Sequence, residues 1–336
     1  MLKQLLVCEV KIMCTAITYK TKSHYFGRNL DLEYSYNESV TITPREYEIR
    51  FSEMGVLAKH YAIIGMAYVV DDYPLYYDAT NEEGLSMAAL NFVGNAIYRQ
   101  SMVGQDNVAA YELIAWVLSQ CKNVEEAKNL LSRINITANK FNEELPVAQL
   151  HFIISDREKS ITLESLKEGI RIYDNPVGVL TNNPPFDYQM FNLNNYMSIS
   201  KDKPINNFSK ELMLEEYSRG MGAMGLPGDW SSLSRFVRAT FAKLNSVSGD
   251  SEEDSVSQFF HILGTAEQPK GLVRMEENRY QFTIYSSCCN TDKGIYYYKT
   301  YDNSAIIAID MHKENLDSKE LINFKLVEKQ QVFWQN

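Results

Sequence analysis

The hydrophobic period of this chain alternates in blocks between two and about 3.6, and that block order is the strongest constraint on its fold. The first hundred residues read mostly as strands. "CTAITYK" (residues 14–20) alternates, "TKS" follows as a turn, and "HYFGRNLDLE" (24–33) completes a hairpin signal. "SVTITP", "YAIIGMAYVV" and "LYYDATNEEGLSMAALNF" continue the pattern, the last broken by a turn at residues 81–84. Over residues 107–121 the spacing becomes helical, with Val108, Tyr111, Ile114, Ala115 and Leu118 on one face. A second helix is predicted over "NVEEAKNLLSRI", where Asn123 and Glu126 hold the N-cap and N3 positions of a capping box. Strands return at "QLHFIISD", "SITLESLK", "GIRIYD" and "VGVLTNN". Helical patterns follow at "DYQMFNLNNYMS", "SSLSRFVRATFAKLNSV" and "DSVSQFFHILGT", before the strands "YQFTIYSSCCN", "IYYYKTYD" and "AIIAIDM". Strand blocks separated by helices do not follow the one-to-one order of a doubly wound parallel sheet. They predict antiparallel sheets with helices packed on them, an α+β layered domain. No repeat and no long low-complexity linker divides the chain, and "SGDSEED" (248–254) reads as a solvated surface loop.

Composition narrows the function. With 336 residues, 45% hydrophobic and 23% charged, the chain can bury a sizeable core and lacks the balance of a disordered one. A net charge of −10 and no basic run of five argue against nucleic acid and anionic membranes as partners. No apolar run approaches the ~20 residues of a membrane span. At the start, "MLKQLLVCEV" has an apolar run over residues 5–8 only, shorter than the ~7–15 residues of a secretory core. Val7 is not the small residue of a lipoprotein cleavage box. A cytoplasmic protein without a membrane anchor is expected, with its five cysteines as free thiols. Cys288 and Cys289 do not make a zinc pattern, and His24, His60, His151, His261 and His312 have no metal-ligand spacing, so each reads as an ordinary surface or core histidine. "GMGAMG" (220–225) follows no strand and opens no helix, so it reads as a glycine-rich loop rather than a dinucleotide fingerprint.

The stretch "KIMCTAIT" (11–18) stands out because Met13-Cys14 looks like the start of a protein. The α-amino group of a terminal residue has a pKa near ~7.7–8.0 and is partly neutral at physiological pH. A terminal Cys14 would therefore supply both nucleophile and base. Arg28 and Asp31 lie on the strand that pairs back through "TKS", so their side chains can reach the start of the cysteine strand. An arginine there would favour the thiolate, and an aspartate would hold the amine. From spacing alone, a core cysteine and a surface ion pair on a hairpin are the better reading.

A wider resemblance changes that balance. "MCTAITYKTKSHYFGRNLDLE", "YYDATNEEGLSMAALNF", "NPVGVLTNNPPFDYQMFNLNNY", "YSRGMGAMGLPGDWSSLSRFVRATF" and "YQFTIYSSCCNTDKGIYYYKTYDN" resemble, in order, the choloylglycine hydrolase family of bile salt hydrolases and penicillin V acylases. The resemblance implies an N-terminal-nucleophile (Ntn) hydrolase fold, an αββα sandwich of two antiparallel sheets between helix layers, over residues 14–336. It implies Cys14 as nucleophile and its freed amine as base, with Arg28 and Asp31 tuning and orienting it. Asn91 and Asn182 would serve the oxyanion, with Asn183 an alternative to Asn182, and Arg235 would brace the site. No metal or organic cofactor is implied, and a homotetramer is expected. Asparagine at position 91 resembles the bile salt side of the family, so conjugated bile salts are the expected substrates. Penicillin V is the alternative. Met66, Tyr68, Phe92 and Ile97 are candidate pocket walls, each equally readable as core.

Residues 1–12 have no counterpart in the family. "LLVCEVKI" could be an added edge strand but has no matching partner. If the segment stays, Cys14 has an amide nitrogen and no base. Three readings stand: Met13 is the initiator, the segment is cleaved off, or the protein is a non-catalytic binder of bile acids.

Overall fold

The computed structural model describes residues 13–336. The edge strand weighed for "LLVCEVKI" and Cys8 lie outside the described residues. Two large antiparallel sheets carry the fold. In the first, the strand order is Val179–Leu180, Met13–Lys20, His24–Leu32, Tyr280–Asn290, Ile295–Thr300 and Ile307–Asp310. In the second it is Gly169–Asp174, Ser160–Leu166, Leu150–Ser155, Ser86–Asn91, Tyr73–Asn81, Ile63–Val70, Ser39–Thr43 and Ile322–Lys325.

Among the described residues, five α-helices complete the layers: α1 (Leu113–Leu118), α2 (Val124–Leu131), α3 (Phe186–Asn192), α4 (Ser232–Asn245) and α5 (Glu252–Gly264). Helices α4 and α5 pack on the first sheet, and α1 packs on the second. The buried apolar residues form two cores. One joins facing residues of both sheets with Phe236, Phe259 and Leu263 of α4 and α5. The other lies between the second sheet and α1 and α2. This is the α–β–β–α layering expected of the Ntn fold. No helix among the described residues is long and apolar enough to cross a membrane.

The hairpin that carries Cys14 forms as expected. Its strands pair from Met13 opposite Asp31 to Lys20 opposite His24, and the Thr21 N–H closes the turn on the Ser23 carbonyl at 2.9 Å. The next strand approaches so closely that a Cβ on Gly27 would lie 2.0 Å from the Ser287 carbonyl oxygen, so only glycine fits there.

The structure departs from the sequence expectations at three places. The helix expected over 107–121 begins later. Asp106–Ala109 is a strand paired in parallel with Ile134–Thr137, followed by a 3-10 turn at Ala110–Glu112 and then α1. Val108 and Ala109 gain burial from that distant partner, which overrides their local periodicity. The capping box of α2 is half formed. Asn123 accepts the Glu126 N–H at 2.9 Å, but the Glu126 carboxylate takes the N–H of Lys122 instead, at 2.8 Å. The "SGDSEED" loop is shorter than expected, because Ser251 and Asp254 form the capping box that starts α5.

Candidate active site

Directly paired residues of an antiparallel ladder share a face. Cys14 pairs with Leu30 and Ala16 pairs with Arg28, so the thiol and the guanidinium both face the second sheet. Asp31 pairs with Met13 and faces the other way, toward the α4 and α5 layer. The two expected partners thus approach the start of the cysteine strand from opposite sides.

Arg28 is fully buried. Its Nη1 donates to the Tyr77 carbonyl at 2.9 Å and to the Ala89 carbonyl at 2.5 Å, while Nη2 has no partner. The ladder register shifts at Tyr77, which leaves its carbonyl free to take the guanidinium. Burial opposes the charge of Arg28, but the Cys14 thiol, Tyr285 and Asp78 around it hold it ionised. Asp78 accepts from the hydroxyls of Tyr285 and Tyr296, each at 2.7 Å, and from Ser287 at 3.0 Å.

Asp31 is equally buried and accepts from Thr283 Oγ1 at 2.6 Å and from Gln268 Nε2 at 3.0 Å. Gln268 Oε1 beside it has no partner. Burial pushes the Asp31 carboxyl up to about 6, against the pull of Arg235, Thr283 and Arg28.

Asn182 and Arg235 complete the arrangement around Cys14. Asn182 Oδ1 accepts the Cys14 backbone N–H and Arg235 Nη2, each at 2.8 Å. Its Nδ2 donates to the Asn91 carbonyl, also at 2.8 Å. Arg235 Nη1 donates to the Cys14 carbonyl at 2.5 Å and to Thr15 Oγ1 at 2.6 Å, and Nε donates to the Trp230 carbonyl at 3.0 Å. Spacing would make Arg235 a solvated helix charge, yet it is completely buried against the first strand. Asn183 is exposed and donates to the Val93 carbonyl, so Asn182 is the asparagine that touches Cys14. Burial raises the Cys14 thiol above its usual range. Arg28 opposes this most, joined by Arg235 and by the backbone N–H of Asn91, which donates to the sulfur.

Beside the thiol a cavity of about 250 Å³ opens to solvent. Its walls are Leu30 and Leu32 of the first sheet, Tyr68, Leu75, Tyr77 and Ala89 of the second, and the segment 139–148 with Phe141, Leu145 and Val147. Cys14, Arg28 and Asn91 close its inner end. Among the lining residues there is no carboxylate, and the ionisable cations are Arg28 and Lys140. Of the four wall candidates, Tyr68 lines the cavity. Met66 and Phe92 are completely buried in the sandwich, and Ile97 is exposed outside the cavity. The wall residues in 139–148, together with Gln268 and Thr283, carry no local signal. Gln268 lies 237 residues from the Asp31 it serves.

A thiol, an adjacent backbone nitrogen held by an amide, two buried guanidinium groups and an apolar cavity suit acyl transfer at a carbonyl. The comparisons agree. The family model for linear amide C-N hydrolases of the choloylglycine hydrolase family matches residues 14–324. A bile salt hydrolase/transferase of Lactiplantibacillus plantarum is 54% identical over 321 residues, 96% of this chain and 99% of that protein. The bile salt hydrolase/transferase of Clostridium perfringens is 39% identical, covering 93% of this chain and 97% of that protein. A crystal structure of the C. perfringens conjugated bile acid hydrolase superposes with a TM-score of 0.89 at 38% identity, covering 96% of this chain and 100% of the other. A penicillin V acylase of Agrobacterium tumefaciens shares the fold at a TM-score of 0.70 and 20% identity, over 93% of this chain and 91% of that one. Site geometry, a family match that begins at the proposed nucleophile and near full-length identity converge on one conclusion: the chain belongs to the choloylglycine hydrolase family.

Proposed function

We propose that this protein is a bile salt hydrolase that cleaves the amide bond of glycine- and taurine-conjugated bile salts. The observation that carries the reading is the Cys14 backbone nitrogen, held 2.8 Å from Asn182 Oδ1 beside a thiol that opens on an apolar cavity lacking carboxylates. A conjugated bile salt is a rigid apolar body with an anionic head, and such a cavity accepts both parts.

In this reading residues 1–13 form an extension absent from the active enzyme, and residues 14–336 form one catalytic domain. The freed amine of Cys14 takes the thiol proton, and the sulfur attacks the carbonyl carbon. Asn91 and Asn182 stabilise the oxyanion. As the tetrahedral intermediate collapses, the C–N bond breaks and the amine passes its proton to the departing glycine or taurine nitrogen. A thioester remains. The amine then deprotonates a water, which attacks the thioester and releases the bile acid and the Cys14 thiol. Arg28 favours the thiolate from the sheet side, Asp31 orients the amine from the helix side, and Arg235 fixes the Cys14 carbonyl. No step needs a metal or an organic cofactor.

From the last turn of α3 to the start of α4 the chain exposes Phe191, Met197, Ile205, Phe208, Met213 and Tyr217. An apolar arm of this kind suits an interface between copies, which supports the homo-oligomer, a tetramer by family resemblance.

The test is release of glycine or taurine from conjugated bile salts by protein whose intact mass verifies Cys14 as its first residue, with penicillin V in parallel. Turnover of the bile salts is expected. Cleavage of penicillin V alone would make the protein an acylase, and tight bile-acid binding without turnover would make it a binder.

A further inference from the structure

One buried pair remains outside this chemistry. His151 and Glu164 are both completely buried on neighbouring strands of the second sheet, with His151 Nδ1 3.0 Å from Glu164 Oε1. His151 Nε2 lies 2.8 Å from the Thr181 carbonyl oxygen. A carbonyl only accepts, so Nε2 carries a hydrogen and donates it. The same Glu164 oxygen accepts the Phe186 N–H at 3.0 Å, which ties the start of α3 to the pair.

The peptide plane between Thr181 and Asn182 is thereby pinned at both ends. Its carbonyl is held by His151, and its N–H donates to Ser232 Oγ at 2.8 Å. Because a peptide unit is rigid, this sets the direction in which the Asn182 side chain leaves the backbone. His151 also reaches the other asparagine. Its ring stacks on Phe92, with centroids 4.2 Å apart and planes 7° from parallel, and Phe92 directly follows Asn91. The peptide plane between Asn91 and Phe92 is pinned as well, by Asn182 Nδ2 on its carbonyl and by the Gln149 carbonyl on its N–H at 2.7 Å. One imidazole thus touches both segments that bring an asparagine to Cys14.

We propose that His151, oriented by Glu164, is a positioning residue of the hydrolysis: it fixes the Asn91 and Asn182 segments relative to the Cys14 sulfur. The proposal rests on the reading that these asparagines serve the oxyanion. Neither His151 nor Glu164 lines the cavity, so the pair should act on the turnover step and leave substrate binding unchanged.

The experiment compares kcat, KM and thermal midpoint for protein verified to begin at Cys14. The main variant is His151→Phe combined with Glu164→Gln, which keeps a flat ring under Phe92, removes the Nε2 donor and leaves no buried carboxylate without its partner. A misplacement near 1 Å costs about a hundredfold in rate, so kcat is expected to fall between roughly tenfold and a hundredfold. KM is expected to stay within about threefold. His151→Gln in the Glu164→Gln background, whose amide N–H can reach the Thr181 carbonyl, is expected to recover much of the loss. Unchanged kcat, a rise in KM alone, or no recovery with glutamine overturns the proposal. Should the double variant not fold, Glu164→Gln alone decides, with a severalfold lower kcat at unchanged KM expected and parental kcat overturning it. Wild type that cleaves penicillin V but no bile salt refutes the substrate reading and moves the comparison to that substrate. Wild type that cleaves neither overturns both.

Discussion

Replacing Asp31 by asparagine should stabilise the chain that still carries Met13 and lower turnover by the chain that begins at Cys14. In that chain the Asp31 carboxyl is fully buried and pushed from 3.8 up to about 6, chiefly by burial. The sign follows from linkage. A carboxyl with a raised folded pKa favours the folded state only while protonated, so its contribution is fully present below about pH 4 and is lost as pH rises through 6. A difference of about 2 units at 1.36 kcal/mol each makes the ionised Asp31 cost about 3 kcal/mol at pH 8. Asparagine keeps an oxygen for the Thr283 hydroxyl. Its amide would meet the Gln268 Nε2 donors, but Gln268 can turn its side-chain amide over and accept with Oε1, which has no partner now. Urea unfolding at pH 4, 5, 6 and 8 reads the difference, with unchanged slopes confirming that the midpoint shift is one of stability. The asparagine variant should gain about 3 kcal/mol at pH 8 and little at pH 4. No gain at pH 8, or an equal gain at pH 4, would refute the reasoning. In protein starting at Cys14 the gain should shrink, because an α-ammonium facing Asp31 then favours the carboxylate.

Three further outcomes are expected. Cys14→Ala should abolish release of glycine or taurine while changing stability by only about 1 kcal/mol, as judged by urea unfolding. Arg28→Gln removes the strongest influence holding the Cys14 thiol down, so iodoacetamide should alkylate it more slowly at a given pH. Replacing Phe208 and Met213 together by serine should lower the mass measured by sedimentation at micromolar concentration and leave turnover per site intact, since neither residue approaches the cavity.

Much of the layering was legible because burial writes itself into local period. The Cys14 hairpin, the paired strands Tyr73–Asn81 and Ser86–Asn91, and the buried stripes of α4 and α5 all follow from spacing within ten or twenty residues. The parallel pair Asp106–Ala109 with Ile134–Thr137 did not, because its strands are stabilised by partners about 28 residues apart. Within the site, the physical chemistry of a terminal amine raised Cys14 as a candidate, but spacing favoured a core cysteine until the family resemblance of the rest of the chain was added. Arg28 and Asp31 followed from the hairpin, but spacing could not show that they flank Cys14 from opposite faces, one between the sheets and one beneath the helices.

The sequence by itself therefore determined which residue could be the nucleophile and which class of layered fold would hold it. The tertiary structure alone decided what surrounds Cys14. Asn182 rather than Asn183 meets Cys14, Arg235 is buried on the Cys14 carbonyl, and Gln268 supports Asp31. The segment 139–148 closes the cavity, and His151 ties two distant asparagine segments together. Each of these contacts joins residues far apart along the chain. Hydrogen-bond direction and burial exist only once both partners are in place, so no local pattern of residues can encode them.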